Sequence, residues 1–439
     1  MNRIRTSKHT TKFSNTNKIE NIDALIHEYR RCASILMQYM WDNHYSYFDS
    51  KETLKHFNTK LNQLDAPSMI TSDIITKSGL DTFLTGRMLK CCLTQVAGML
   101  KASVEKQRKR LYILEQEKKE KNPRKKRRQF IKKLKCNIPQ IPYCGNIKME
   151  LNSICATIQD EEDKHFDSFL QLTSITKDKW NIKIPIQHHR HSRKLESQGK
   201  MLNSFLISEN NVEIRWELNK VEQKSNGNTI GIDQGINDLL ALSNGTFSMK
   251  EDAKKHTQSS IMLKACRAKK GSKGFKRAKA HQKNFVNQSI NALNLTDTKE
   301  IKLEKIWNIG YKQSRTRYLS TWQNTLIEDK IQKRCEDEGI RFILNTCTYR
   351  SQRCSSPECG YVKKSNRKGK LFKCKHCGNT MDSDTNSAMN QVIELPEIPY
   401  GLRLLNLNRS KEGFFWKLDG IFDSEGRSLQ SLPHVEDKN

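Results

Sequence analysis

The chain has few hydrophobic and aromatic residues for its length. Hydrophobic side chains make up 35% and aromatic ones 8% of its 439 residues, and the mean hydropathy is −0.78. No run of about 18 apolar residues is present to span a bilayer. The opening stretch MNRIRTSKHTTKFSNTNK also lacks the apolar core of a secretory signal peptide. These absences predict a strongly hydrated globular protein of the cytoplasm, with no membrane partner.

Most of the cysteines lack the spacing that is typical of a disulfide framework or of a metal site. There are 13 in all, an odd number that argues against a complete disulfide framework and favours a reducing compartment. A free cysteine packs as a small hydrophobe, so the scattered ones are predicted to be packing residues. These are Cys32, Cys91, Cys92, Cys136, Cys144, Cys155, Cys266, Cys335 and Cys347.

Acidic residues are outnumbered by basic ones. The chain has 78 Lys and Arg residues against 48 Asp and Glu residues, a net charge of +30, which creates a positive field suited to a polyanion such as nucleic acid. Two basic segments are the main candidates for phosphate contacts, although exposed loops or linkers would have the same composition. They comprise Arg124, Lys125, Lys126, Arg127 and Arg128, and Lys269, Lys270, Lys273, Lys276, Arg277 and Lys279.

The predicted secondary structure changes along the chain. Residues 22–135 show helical periodicity, residues 136–223 show short alternating strands, and the chain after Gly227 alternates strands with helices, as in an α/β layered fold. In the middle part, QHHRHSRK contains His188, His189 and His191, which we interpret as a phosphate-facing loop rather than a metal site. The tail from residue 399 to 439 is expected to be loosely ordered.

Four cysteines do have zinc-ligand spacing. Cys354 and Cys359 form one pair and Cys374 and Cys377 the other, and each pair is followed by a glycine that lets the backbone turn. Two such pairs supply the four thiolates of a closed, structural Zn²⁺ site. A site in which His376 replaces one cysteine is the alternative.

Three carboxylates fall on elements that could surround one sheet. Asp233 closes the apolar strand TIGID, Glu304 lies in KEIKLEKI, and Asp384 begins the helix DTNSAMNQV. Three acids that meet in this way would bind Mg²⁺ or Mn²⁺ and support two-metal phosphodiester hydrolysis. Each acid alone could be a turn former, Asp384 could be only an N-cap, and Asp382 is its nearest rival.

These motifs occur together and in order with GIDQGINDLLALSNG, GSKGFKRAKAHQKNFVNQSI and YRSQRC. The combination resembles TnpB and the compact type V CRISPR effectors, most specifically over residues 180–395. The spacing of the first cysteine pair is a departure, because four residues separate the pair where two are usual in that family.

The resemblance implies a multidomain α+β protein. Its RuvC-like RNase H-fold nuclease domain would comprise residues 227–350 and 380–398, with a zinc-ribbon target-nucleic-acid-binding insertion at 351–379. A β-rich wedge-like domain would comprise residues 1–22 and 136–226, a helical recognition lobe residues 23–135, and a C-terminal tail residues 399–439. Asp233, Glu304 and Asp384 would be the catalytic trio of this fold.

The function implied is that of a prokaryotic or phage-encoded, nucleoid-associated RNA-guided DNA endonuclease. Its partners would be a guide RNA, target double-stranded DNA and the displaced single strand, bound by a monomer or a homodimer. A guide-directed DNA-binding protein or repressor with little cleavage is the alternative. A transposase that acts on DNA ends without RNA is the third hypothesis.

Overall fold

The computed structural model describes residues 3–44, 69–118, 140–160, 165–306, 317–399, 402–403 and 405–429. The chain divides into two compact units, Met1–Lys220 and Val221–Asn439. Among the described helices, none combines the length and the hydropathy needed to cross a bilayer.

Three helices of the first unit share an apolar core. They are α1 (Thr16–His44), α2 (Met69–Lys77) and α3 (Gly86–Lys118). In α3, Leu89, Cys92 and Val96 are buried and Met99 packs against the same core, which confirms the three-and-four-residue spacing found in the sequence. Helix α1 packs along α3.

Two antiparallel sheets complete the first unit. Their strands are β1 (Arg3–Thr10), β2 (Met149–Asn152), β3 (Ala156–Gln159), β4 (Ser168–Leu172), β5 (Ile182–Ile186), β6 (Gly199–Ser208) and β7 (Asn211–Leu218). The four-stranded sheet has the order β1-β7-β6-β2 and the three-stranded one β3-β4-β5. Strand β1 therefore completes a sheet whose other strands come from residues 149–218, with Arg3 opposite Leu218.

The histidine-rich segment is only partly a loop, contrary to the prediction from the sequence. Residues Arg190–Gln198 form helix α4, and the imidazole of His189 caps it by accepting from the Ser192 backbone N–H. The rings of His188 and His189 lie within 5.6 Å of the ring of buried His9. His189 and Ser192 thus form a capping box, in which each side chain bonds to the backbone N–H of the other residue and the start of the helix is stabilised.

A mixed sheet organises the second unit. Its strands are β8 (Asn228–Gln234), β9 (Leu240–Leu242), β10 (Thr298–Lys305) and β11 (Arg341–Thr346), in the order β11-β10-β8-β9. Strands β8, β10 and β11 are parallel, and β9 returns antiparallel to β8. An RNase H fold has this arrangement: β8 pairs with its hairpin partner β9 on one side and with the parallel strands β10 and β11 on the other. The predicted α+β class is therefore confirmed.

Helices pack on this sheet and on one another. They are α5 (Gln258–Arg267), α6 (Lys273–Asn291), α7 (Arg317–Thr321), α8 (Asn324–Glu338) and α9 (Ser383–Val392). Helix α8 ends at Gly339, whose φ of 68° is the left-handed C-cap that glycine adopts without strain. Helix α9 packs so closely on β8 that a Cβ at Gly231 would collide with the carbonyl oxygen of Ala388.

The cysteine-rich segment and the tail build two small sheets. Their strands are β12 (Tyr361–Val362), β13 (Arg367–Lys368), β14 (Leu371–Lys373), β15 (Thr380–Asp382), β16 (Phe414–Lys417) and β17 (Gly420–Phe422). Strands β13, β14 and β15 form one sheet, and β12, β16 and β17 form the other.

Two expectations about this region were wrong. The described part of the tail is not loosely ordered, because β16 pairs with β12 and Phe414, Trp416 and Ile421 are buried in a common core. Residues 380–382, assigned to the nuclease domain, pair instead with β14 of the ribbon. Aromatic residues of the tail thus bury apolar surface that the short ribbon strands leave uncovered.

Candidate active site and metal centre

Asp233 and Glu304 lie on adjacent parallel strands and share a hydrogen bond. Asp233 is in β8 and Glu304 in β10; Asp233 is buried and Glu304 is half-buried. Burial raises the pKa of Asp233, and burial together with repulsion from Asp233 raises the pKa of Glu304 well above its ordinary value. A bound divalent cation would act in the opposite direction, because it favours the ionised form of both carboxyl groups.

Helix α9, which packs on β8, carries the third acid, Asp384. Asp382 is its N-cap and accepts from the backbone N–H groups of Asp384 and Thr385, at 2.9 and 3.0 Å. One turn further, Ser387 donates to Asp233 Oδ1 at 2.6 Å. Because Asp382 caps the helix, the Asp384 carboxylate is not needed as the cap, and Asp384 stays the predicted third acid.

The Asp384 carboxylate binds cationic side chains of the ribbon. Arg367 Nη2 lies 2.8 Å from Asp384 Oδ1, and Lys370 pairs with Asp384 Oδ2 and with Asp238. Within the described part of the chain, the carboxylate oxygens of Asp233, Glu304 and Asp384 do not all lie within 4.8 Å of one another. The hairpin of β13 and β14 therefore places its positive charge on Asp384 while Asp233 and Glu304 pair with each other.

Arg367, Lys370, Asp238 and Ser387 were not among the residues predicted from the sequence. Arg367 and Lys370 sit in the basic stretch NRKGK of the ribbon, where a lysine-rich turn is typical of a solvated surface. The sheet pairing of β13 with β14 turns the two side chains toward α9.

The asparagines of α9 join the helix to the ribbon. Asn386 Oδ1 accepts from the Ser355 N–H at 3.1 Å, and Asn390 Oδ1 accepts from Arg353 Nη1 at 2.6 Å. Asn390 also donates to the carbonyl of Arg350 at 3.0 Å. All of these contacts are buried, so the ribbon and the helix that bears Asp384 are one packed structure.

The four predicted cysteines converge on one point. Cys354 Sγ lies 3.6 Å from Cys377 Sγ, and Cys359 Sγ lies 3.7 Å from Cys374 Sγ. Four thiolates about 2.3 Å from a tetrahedral Zn²⁺ would stand about 3.8 Å apart, so the donor set and its spacing fit zinc. The alternative ligand His376 packs its ring against Tyr361 and Phe415 instead.

The predicted phosphate contacts fall into three groups. Lys269, Lys270, Lys273, Lys276 and Arg277 are exposed on and before α6, so they remain a prediction. Lys279 is tied internally, because its ammonium group donates to Gln282 and to the Thr321 carbonyl at 2.9 Å each. The segment Arg124, Lys125, Lys126, Arg127 and Arg128 lies outside the described residues.

The scattered cysteines pack largely as expected. Six of them are buried, Cys266 is intermediate and Cys347 is exposed, while Cys136 lies outside the described residues. The buried ones are Cys32, Cys91, Cys92, Cys144, Cys155 and Cys335.

The segment that contains the zinc ribbon and α9 is similar in sequence to known proteins. Residues 326–391, which contain all four zinc-ribbon cysteines and Asp384, match the family described as Cas12f1-like, TNB domain. The CRISPR-associated endodeoxyribonuclease Cas12f1 of Sulfoacidibacillus thermotolerans is 37% identical over 99 residues, which is 22% of this chain and 22% of that protein. This part of the chain is related to Cas12f1, one of the compact type V CRISPR effectors.

The predicted kinship with TnpB and these effectors is therefore confirmed, although the sequence match spans about a fifth of the Cas12f1 relative. Among solved structures, the Cas12f1–sgRNA–target DNA complex is similar with 14% identity, a TM-score of 0.46, and coverage of 84% of this chain and 82% of that one. The mini-RNA-guided endonuclease CRISPR-Cas_phi3 has 10% identity, a TM-score of 0.46, and coverage of 89% and 92%.

Proposed function

We propose that the protein is an RNA-guided DNA endonuclease whose cleavage site is formed by Asp233, Glu304 and Asp384. The observation that carries the proposal is the pairing of buried Asp233 with half-buried Glu304 on adjacent strands, together with the bond from Ser387 that joins Asp233 to the helix bearing Asp384. Burying two carboxylates side by side is costly unless a cation compensates them. The Cas12f1 relative is named an endodeoxyribonuclease, which agrees with this proposal.

The three acids supply the hard oxygen ligands that Mg²⁺ or Mn²⁺ prefers. When bound, such ions activate a water and stabilise the leaving oxygen of a phosphodiester. Arg367 and Lys370, which pair with Asp384, are positioned to contact a phosphate once they leave that carboxylate. Ser387 orients Asp233 through the hydrogen bond to its Oδ1.

Guide RNA, duplex DNA and the displaced strand are the proposed partners. The net charge of +30 supports binding to their phosphates, and base pairing to the guide would supply sequence specificity. We assign guide binding to the helical lobe and the β-rich domain at the boundaries predicted from the sequence. The zinc ribbon serves as a structural brace that fixes Arg367 and Lys370 beside α9.

The test is cleavage by an Asp233→Asn variant loaded with its co-purified RNA. Asparagine keeps the shape and the bond from Ser387 but removes a charged ligand, so cleavage in Mg²⁺ should fall by at least about 100-fold while RNA and DNA binding stay unchanged. Asp329→Asn on the exposed face of α8 removes the same charge elsewhere and should cleave normally. Wild-type rates in Asp233→Asn would refute the assignment.

A guide-directed DNA-binding protein with little cleavage is the second candidate. It is favoured by the ion pairs of Arg367 and Lys370 with Asp384, which occupy a carboxylate that cleavage needs. Wild-type protein that protects target DNA in both Mg²⁺ and Mn²⁺ without nicking it would support this function over the nuclease.

A further inference from the structure

A second cluster of metal-ligand groups lies in the loop before α5 and on α6. Asp252, His256 and His281 place their donor atoms within 4.8 Å of one another. Asp252 Oδ2 lies 2.7 Å from His281 Nε2 and 3.5 Å from His256 Nδ1. None of the three residues belongs to the carboxylate trio or to the zinc ribbon, and the proposed cleavage reaction uses none of them.

The carboxylate of Asp252 is already oriented for a ligand. Its Oδ1 accepts the backbone N–H groups of Lys254 and His256, at 2.8 and 3.0 Å. Its Oδ2 faces the two imidazole rings instead. The backbone reinforces this turn, since Asp252 N–H donates to the carbonyl of His256 at 3.0 Å and Lys255 adopts a positive φ of 60°.

One ligand atom of the cluster has no hydrogen-bond partner among the described residues. His256 Nδ1 is buried and makes no hydrogen bond within the part of the chain that the structure describes. A buried imidazole nitrogen without a partner is unfavourable, and here it points toward an anionic oxygen 3.5 Å away. A cation between the two would satisfy both atoms.

The spacing suits a transition-metal ion after a small adjustment. Ligand atoms about 2.1 Å from a metal stand about 3.0 to 3.4 Å apart in octahedral or tetrahedral geometry. The separation of 3.5 Å is already close to this value, and the hydrogen bond of 2.7 Å would open by a few tenths of an ångström. Lys264, whose Nζ lies 2.7 Å from His256 Nε2, would turn away from that nitrogen into solvent, where its side chain is exposed.

We propose that Asp252, His256 and His281 form a binding site for a divalent transition-metal ion such as Zn²⁺. Two imidazoles and one carboxylate are a donor set for this class of ion, with water filling the remaining positions. The ion joins the loop of residues 252–256 to helix α6, which carries the exposed Lys273, Lys276 and Arg277. The site thereby stabilises a basic surface without entering the cleavage chemistry.

The experiment counts zinc in the full-length protein. Wild type, His281→Gln and His256→Gln are stripped with a chelator, reloaded with Zn²⁺ in excess Mg²⁺, dialysed, and analysed by inductively coupled plasma mass spectrometry. Glutamine at position 281 keeps a donor for Asp252, so the fold is preserved while a ligand is lost. His191→Gln, an exposed histidine on α4, is the matched control.

Wild type and His191→Gln should each hold about one zinc per chain more than either ligand variant. Equal zinc content in wild type and both ligand variants would overturn the proposal. Because the difference is counted between variants that share the cysteines and the three acids, it does not depend on the outcome of the cleavage test.

Discussion

Replacing Lys370 by methionine removes a cation that competes with metal for Asp384. The Lys370 ammonium pairs with Asp384 Oδ2 and with Asp238, and the Asp384 side chain is 9% exposed. A divalent ion that uses the same carboxylate must displace this ammonium. Methionine keeps most of the length of the lysine side chain and cannot pair with either acid.

The magnitude follows from the exposure of the two partners. Two unit charges about 4 Å apart attract by about 4 kcal/mol at an effective dielectric constant of about 20. The Lys370 side chain is 46% exposed, and solvent screening reduces the net value of such a pair to about 1 kcal/mol. Because about 1.4 kcal/mol corresponds to a tenfold change, loss of Lys370 should tighten metal binding at Asp384 by about fivefold.

Electron paramagnetic resonance of free Mn²⁺ measures this change without requiring cleavage. The titration compares wild type, Lys370→Met and Lys368→Met, where Lys368 is an exposed lysine on β13 of the same hairpin. The Kd for Mn²⁺ should fall only in Lys370→Met, and Asp384→Asn should abolish the difference. An unchanged or larger Kd in Lys370→Met would refute the competition between lysine and metal.

Three further predictions address stability and the ribbon. Cys374→Ser should lose the ribbon zinc, measured by mass spectrometry, and should expose the 354–377 segment to limited proteolysis, since such a segment depends on its metal for order; retained zinc and protease resistance would contradict the assignment of the four cysteines as ligands. Gly231→Ala should destabilise the protein by about 1–3 kcal/mol in chemical denaturation, because the new methyl group meets the backbone of α9; wild-type stability would mean that α9 lies farther away. Burial lowers the pKa of His9 from 6.5 to about 4. Below about pH 6.5 the His9 ring therefore binds a proton in the unfolded chain, whereas in the folded chain it stays neutral until about pH 4. The free energy of unfolding should consequently fall by about 2 kcal/mol by about pH 5. His9→Gln should show a smaller acid-induced fall in melting temperature, and an equal fall would contradict this role.

The sequence was most informative where the chemistry depends on local spacing. Two cysteine pairs, each followed by a glycine, predicted a zinc site that the sulfur–sulfur distances support. The apolar strand ending in Asp233 and the helix stopped by Gly339 were also predictable, because residues within one element determine both. The tail was misjudged, since Trp416 and Phe414 are buried only through the pairing of β16 with β12.

Amino-acid order by itself determined the identity of the donor groups: four thiolates at zinc spacing, and acids at the ends of apolar segments. Tertiary structure decided which groups meet, because contacts between distant residues depend on strand register and helix packing. Only the fold places Ser387 on Asp233, sets the ribbon's Arg367 and Lys370 on Asp384, and brings His281 to Asp252. These contacts join residues 14 to 154 positions apart, beyond the reach of any local periodicity.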